Sequence, residues 1–269
     1  MSNATASGET PFVRRERDER GVVRLTLDRP KAFNALGDGM LHALQAELGA
    51  LGGDDSVRVV VLAAEGKAFC AGHDLKEMRA EPSQHAYETL FARCTRMMLA
   101  IQRLSVPVIA RVQGMATAAG CQLVATCDLA VAAPGARFAV SGVNLGLFCS
   151  TPSVALTRNV GRKGAFEMLV TGDFISADEA KARGLINRVA TADSEAALDA
   201  EVEALVAAIV AKPRTAIVMG KQLFYRQLEL DVESAYEDAG RTMACNMMDE
   251  ATLEGVQAFI DKRKPNWAV

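Results

Sequence analysis

The chain has 269 residues, of which 50% are hydrophobic and 23% charged, with a formal net charge of −3. That balance supports a sizeable core and excludes wholesale disorder. It also gives no concentrated basic surface of the kind nucleic acid or an anionic membrane needs, and the run "RRERDER" (14–20) interleaves its arginines with acids.

The six cysteines, Cys70, Cys94, Cys121, Cys127, Cys149 and Cys245, form no C-x-x-C pair and lie in apolar segments, so reduced, mostly buried thiols are expected. "MSNATASGETPF" lacks the basic and apolar regions of a secretory signal. No uncharged apolar run reaches the ~18 residues of a membrane helix. A soluble, cytoplasmic protein is the resulting expectation.

In chain order, "VVRLTLD" (22–28) alternates Val23, Leu25 and Leu27 with polar residues, the period of a strand with one buried face. "GDGMLHALQAELGAL" places Met40, Leu41, Leu44, Leu48 and Leu51 at helical spacing, and "VRVVVLAA" (57–64) suits a strand buried on both faces. A helix over about 83–104, a strand at 107–113, a short helix near 119–126 and a strand at 129–133 follow. Such alternation predicts parallel strands joined by helical crossovers. From about 151 the pattern is helical, apart from a short strand in "LINRVA" (185–190), with long amphipathic segments near 194–211, 213–229, 231–247 and 249–262. A change of architecture near residue 200 follows from this, with no flexible linker.

Phosphate-loop, dinucleotide-fingerprint and nucleophile-elbow motifs are absent. His42, His73 and His85 lack the close pairing of a zinc site, so no metal is expected. Two segments rich in small residues stand out: "EGKAFCAGHDL" (65–75) and "GMATAAGCQ" (114–122), each leaving the carboxyl end of an expected buried strand. The second turns into a helix at Ala118, Ala119 and Gly120, so unpaired N–H groups and the positive end of the helix dipole face the loop. Two such loops can converge on one oxygen, as polarising a thioester carbonyl requires.

Together, "RPKAFNAL", "KAFCAGHDLKEM", "VIARVQGMATAAGCQLVATCDLAVA", "GDFISADEAKARGLINRV" and "FIDKRKPNW" resemble the enoyl-CoA hydratase/isomerase, or crotonase, superfamily. The similarity runs from about residue 12 to 267, and "GHDLKE" and "GVNLGLFCSTP" point to one subgroup within it. The resemblance implies an α/β fold: a spiral of β-β-α turns over 1–200 and a C-terminal helical trimerisation region over 201–269. It implies an acyl-CoA thioester as partner, coenzyme A entering only as part of the substrate, no prosthetic group, and a homotrimer or dimer of trimers. Neither nucleic acid nor membrane is implied.

Residue by residue, it places the oxyanion hole at the backbone N–H groups of Ala71 and Ala119, and the cofactor side at Lys31, Ala32, Ala71, Gly72, His73 and Asp74. Lys262 and Lys264 are weaker phosphate candidates. Hydratases of the superfamily also carry two glutamates. Here "AAGCQ" puts Gln122 at the first and "FAVSGVNLG" (138–146) puts Gly142 at the second. An amide and a hydrogen atom cannot move protons near neutrality, and acid–base help is worth typically ~10² to 10⁴ per participant. Gln122 and Asn144 remain as polar candidates in the pocket; Asp74, His73, Cys149 and Ser150 are weaker ones, the last two expected to start a helix in "GLFCSTP". The expected function is an acyl-CoA enzyme, nominally a hydratase/isomerase, that stabilises a thioester oxyanion but hydrates weakly; isomerisation, thioester hydrolysis and decarboxylation stay open. The alternative is a catalytically silent acyl-CoA-binding protein.

Overall fold

The computed structural model describes residues 11–267; the N-terminal segment read above for a signal lies, through residue 10, outside the described residues. Strands β1 (Val13–Arg17) and β2 (Val22–Leu27) form an antiparallel hairpin, and α1 (Asp38–Gly52) follows. Three β-β-α turns come next. They are β3 (Val59–Ala64), β4 (Ala68–Cys70) with α2 (Leu75–Ala80) and α3 (Gln84–Arg103); β5 (Val108–Val112), β6 (Met115–Thr117) with α4 (Ala119–Thr126); and β7 (Leu129–Ala132), β8 (Arg137–Ala139) with α5 (Ser150–Leu156) and α6 (Arg162–Thr171). The chain continues through β9 (Ile175–Ser176), α7 (Ala177–Ala182), β10 (Arg188–Val189), α8 (Glu195–Val210), α9 (Arg214–Gln227), α10 (Val232–Met247) and α11 (Glu250–Ile260).

Each turn of the spiral gives its first strand to one sheet and its second to another. The large sheet runs β1-β2-β3-β5-β7-β10 and the small one β4-β6-β8-β9. Within the small sheet β4, β6 and β8 are parallel, so their carboxyl ends open at the same edge. The expected alternation of parallel strands is therefore present, but the small sheet is a correction. Residues 68–70 and 115–117, read as loop, are strands. Three residues are too few to show a period.

The unbroken apolar run of β3 has a direct cause. Val60, Leu62 and Ala64 enter the main core with Leu25, Leu44, Met97 and Phe138, while Val59 and Val61 meet Leu198, Val202 and Val206 of α8 across the opposite face. Arg111, on β5, is 2% exposed and secures the first turns of α8 through Asp199 (Nε to Oδ1 2.7 Å) and Glu195. Residue 200 thus falls inside a helix that belongs to the sheet, and the departure from the core comes after Val210.

Beyond that point packing against the rest of the chain is sparse. The buried positions are Lys221 in α9 and Ala258 in α11, and α10 has none. Lys221 is the anchor: its Nζ donates to the carbonyls of Ile101 and Val106 and to Asp128 Oδ2 at 2.6 Å, and Tyr225 Oη donates to Asp128 Oδ1 at 2.7 Å. Met243, Phe259 and Ile260 are 71%, 86% and 64% exposed, so the apolar stripe of the last helices is not satisfied within one chain.

Candidate active site

Three parallel strand ends build the site. After β4 come Ala71, Gly72 and His73; after β6, Ala118 and Ala119; after β8, Val140, Ser141 and Gly142. Side-by-side registry of the strands fixes their approach, and the Ala118 N–H donates to the Ala139 carbonyl at 2.9 Å. Glycines let the loops touch. A Cβ on Gly120 would lie 2.0 Å from the Cys70 carbonyl oxygen, so no other residue brings the start of α4 this close to β4. At Gly72, whose φ is +91°, a Cβ would stand 3.3 Å from Ala119 N and 3.0 Å from Ala118 Cβ.

Ala118 itself sits at φ 51°, ψ −120°, a conformation that costs an alanine on the order of 1–3 kcal/mol. This turn lifts the following peptide out of the strand, and among the described residues the N–H of Ala119, first residue of α4, has no acceptor. In the other loop Ala71 N–H donates to the Phe33 carbonyl at 3.0 Å, while among the described residues the His73 N–H has no acceptor. The expectation that Ala71 supplies an oxyanion donor is corrected on this point. The segment 29–36 runs beside the loop as a third wall, bonding through both Phe33 and Leu36 (Leu36 N to Gly72 O, 2.7 Å), so the free donor falls two residues later. That wall is held in turn by Asn34, fully buried, whose amide donates to the carbonyls of Glu65 and Ala68, each at 2.9 Å, and accepts from Arg29 N–H at 2.8 Å.

The candidate side chains separate clearly. Gln122 lies one turn after Ala119 on the same face of α4, with its side chain tilted back toward the helix start, and is only 6% exposed. Its amide makes no hydrogen bond with the described residues, and Oε1 is buried. The imidazole of His73 donates from Nδ1 to the Leu36 carbonyl at 3.2 Å and meets Phe91 edge-on, which leaves Nε2 buried without a partner. Burial lowers its pKa below the ordinary 6.5, so the ring is neutral at physiological pH.

Asn144 does not join this group. It is exposed, and its Nδ2 points to the Gly172 carbonyl at the end of α6, 3.4 Å away; a pocket role for it is corrected. Asp74 accepts from Lys76 and Glu77 N–H as the N-cap of α2. Lys31 and Ala32 lie in an exposed 3₁₀ turn within the third wall, whereas Lys262 and Lys264 are exposed at the far end of the chain.

Cys149 plays a part that its sequence context did not signal. Its Sγ accepts from the Gly142 N–H at 3.2 Å, and a Cβ on Gly142 would lie 2.7 Å from that sulfur and 2.4 Å from the Leu147 carbonyl oxygen. The space where position 142 would extend a side chain is already filled. Burial pushes the thiol of Cys149 up, and that of Cys121 to about 12, so both stay protonated. As expected, the two start a helix: Cys149 is the cap of α5, Ser150 its first residue, and Pro152 falls within its first turn.

The adjacent ends of β4 and β6 thus carry two backbone N–H groups, of His73 and Ala119, without acceptors among the described residues, with Gln122, the His73 imidazole and Cys149 on the neighbouring segments. Comparison with known proteins sets this in a lineage. The family model described as enoyl-CoA hydratase/isomerase matches residues 17–269. The chain belongs to the enoyl-CoA hydratase/isomerase family. A crystal structure of an enoyl-CoA hydratase from Mycobacterium smegmatis is 70% identical, with a TM-score of 0.94 over 97% of this chain and 100% of that one. The crystal structure of human enoyl-CoA hydratase domain-containing protein 3 is 42% identical, with a TM-score of 0.90 over 95% of this chain and all of that one. The mouse relative, "Enoyl-CoA hydratase domain-containing protein 3, mitochondrial", is 42% identical over 97% of this chain and 86% of its own length. The subgroup suggested by "GHDLKE" and "GVNLGLFCSTP" is therefore correct, as is the crotonase-like spiral. The cytoplasmic expectation is overturned: the matched vertebrate members of this enoyl-CoA hydratase/isomerase subgroup are named mitochondrial, a location the search for a secretory signal did not address.

Proposed function

We propose that this protein binds acyl-CoA thioesters and stabilises negative charge on the thioester oxygen through the N–H groups of His73 and Ala119, with little capacity for hydration. One observation carries the reading: among the described residues the N–H groups of His73 and Ala119 have no acceptor, on adjacent strand ends beside positions 122 and 142, where Gln122 and Gly142 stand in place of the family's carboxylates. Each such donor is worth typically ~10² to 10³ in rate where an oxyanion develops. Decarboxylation, isomerisation and some thioester hydrolyses draw mainly on that stabilisation, so they lose less than hydration does when carboxylates are missing.

No prosthetic group enters this reading; coenzyme A is part of the substrate. We assign its cofactor side to the backbone of Gly72 and His73 and to the exposed Lys31, while the Asp74 carboxylate is engaged as a helix cap. The uncovered faces of α10 and α11 support assembly as a trimer or a dimer of trimers.

The test is a screen of the purified protein against crotonyl-, malonyl- and saturated acyl-CoA. Binding of acyl-CoA above CoA itself, with crotonyl-CoA hydration at least ~10²-fold slower than in a two-glutamate hydratase, is expected. Fast hydration, or no preference for acyl-CoA over CoA, defeats the reading. The second reading, a silent acyl-CoA binder, is favoured by the filled space at Gly142; binding with no product from any ester selects it.

A further inference from the structure

Positions 122 and 142 carry no carboxylate, yet one basic atom beside them is left unused by the fold. His73 Nδ1 faces the Leu36 carbonyl at 3.2 Å, and a carbonyl only accepts, so the proton sits on Nδ1 and the lone pair on Nε2. Nε2 is buried and has no hydrogen-bond partner among the described residues. Phe91 of α3 meets the ring edge-on, with 5.5 Å between centroids, so the imidazole is held between α3 and the third wall. A buried acceptor without a donor forfeits its hydration and gains nothing in return.

We infer that His73 Nε2 is the base that takes a proton from the second acyl carbon of a bound acyl-CoA thioester. The inference rests on the acyl-CoA reading above and names the group that moves the proton. The residue whose backbone N–H meets the thioester oxygen also carries the ring, and the second acyl carbon is two bonds from that oxygen, so base and reacting carbon stand within one side-chain length. The C2–H bond breaks, its proton goes to Nε2, and its electron pair forms the enolate, whose oxygen rests on the N–H groups of His73 and Ala119. Nδ1–H stays on Leu36, and the new imidazolium is paired with the oxyanion formed in the same step. Return of the proton to C2 gives exchange; its return to C4 of a 3-enoyl ester gives the 2-enoyl ester. Neither outcome consumes water or any further reactant.

Nearby charges leave the ring to act alone. Asp74 caps α2, Glu77 accepts from the Asp38 N–H, Arg93 of α3 pairs with Asp38, and on the third wall Arg29 stacks over Phe12 while Lys31 is exposed. Burial therefore sets the ring's protonation, and the base form prevails at physiological pH.

The full chain with 3-butenoyl-CoA in D₂O tests the assignment, with deuterium at C2 and in the crotonyl-CoA formed followed by NMR. Wild-type exchange is expected to be level above pH 6.5 and to fall about tenfold per pH unit below the folded pKa of the ring. In His73→Gln, which keeps the backbone N–H, exchange should drop by ~10² or more, and added imidazole should restore part of it in His73→Ala, as a purely structural ring would not allow. Ester binding above CoA without exchange, or exchange undiminished in His73→Gln, overturns the inference and leaves the acyl-CoA reading intact. If the variants do not fold, the wild-type profile decides: a rate that keeps climbing with hydroxide above pH 6.5 overturns the inference. No ester binding above CoA overturns the acyl-CoA reading itself.

Discussion

Placing glutamates at positions 122 and 142, where the resemblance puts the family's two carboxylates, is the sharpest probe of the proposal, and position 142 is where it fails. In Gly142→Glu the first added carbon alone meets the Leu147 carbonyl oxygen at 2.4 Å and the Cys149 sulfur at 2.7 Å. One contact is backbone, so rotation of a side chain cannot relieve it. Overpacking of this kind costs about 1–3 kcal/mol. Moving residues 147–149 aside also breaks the Gly142 N–H to Cys149 Sγ bond, about another 1 kcal/mol. At roughly 2–4 °C per kcal/mol for a chain of this size, the unfolding midpoint should fall by about 5–15 °C. Hydration should not be restored either, because the displaced segment carries the new carboxylate with it. Thermal unfolding at fixed protein concentration and the crotonyl-CoA absorbance assay measure the two effects. A Gln122→Glu/Gly142→Glu variant with an unchanged midpoint and hydration raised by ~10² or more would refute the steric argument.

Two further outcomes follow from buried charge. Asp128→Ala leaves Lys221, whose side chain is 6% exposed, without its counter-ion, and about 3–5 kcal/mol of stability should be lost; Asp128→Ala with Lys221→Met should recover part of it in chemical denaturation, and no recovery would mean that Asp128 matters chiefly for Tyr225 and the Val108 N–H. His73 titrates below its ordinary 6.5 because it is buried, so between its folded pKa and 6.5 the unfolded chain binds the extra proton. Its contribution is therefore complete above pH 6.5 and is lost as pH falls through that value toward the folded pKa. Denaturation midpoints measured from pH 7.5 to 5 should show a shallower acid slope in His73→Gln than in the wild type; identical slopes would show that the ring is not desolvated.

Long periodic segments were legible in the sequence because each buries one stripe. Leu198, Val202 and Val206 recur every four residues, and the helix they announce lies on the sheet. The small sheet was not legible, since β4 and β6 are three residues each and their pairing is set by neighbours in space. At the site, Ala119 was readable as the first residue of a helix. The free donor at His73 was not, because nothing local reveals that the Ala71 N–H is taken by Phe33, 38 residues earlier. Asn144 failed for a similar reason: the left-handed Gly146 closes a 3₁₀ turn over 141–145, which turns residue 144 outward to Gly172. The role of Cys149 depended on its meeting Gly142 across that same turn, which no spacing rule encodes.

The two free donors belong to the main chain, and this divides the pocket's freedom to change. Replacing the side chain at 73 or 119 leaves an N–H in place, so the anion-holding role proposed for them does not depend on which residues occupy those positions. It depends on the glycines at 72 and 120 that let the strand ends approach, and on the turn at 118 that aims one donor. On the same proposal, side chains that bear on the choice of reaction also stand on other segments, at 122 on a helix and at 142 and 149 around a 3₁₀ turn. Under that proposal, substitutions at one set of positions would alter the chemistry while the main chain of the other set went on holding the same kind of ester.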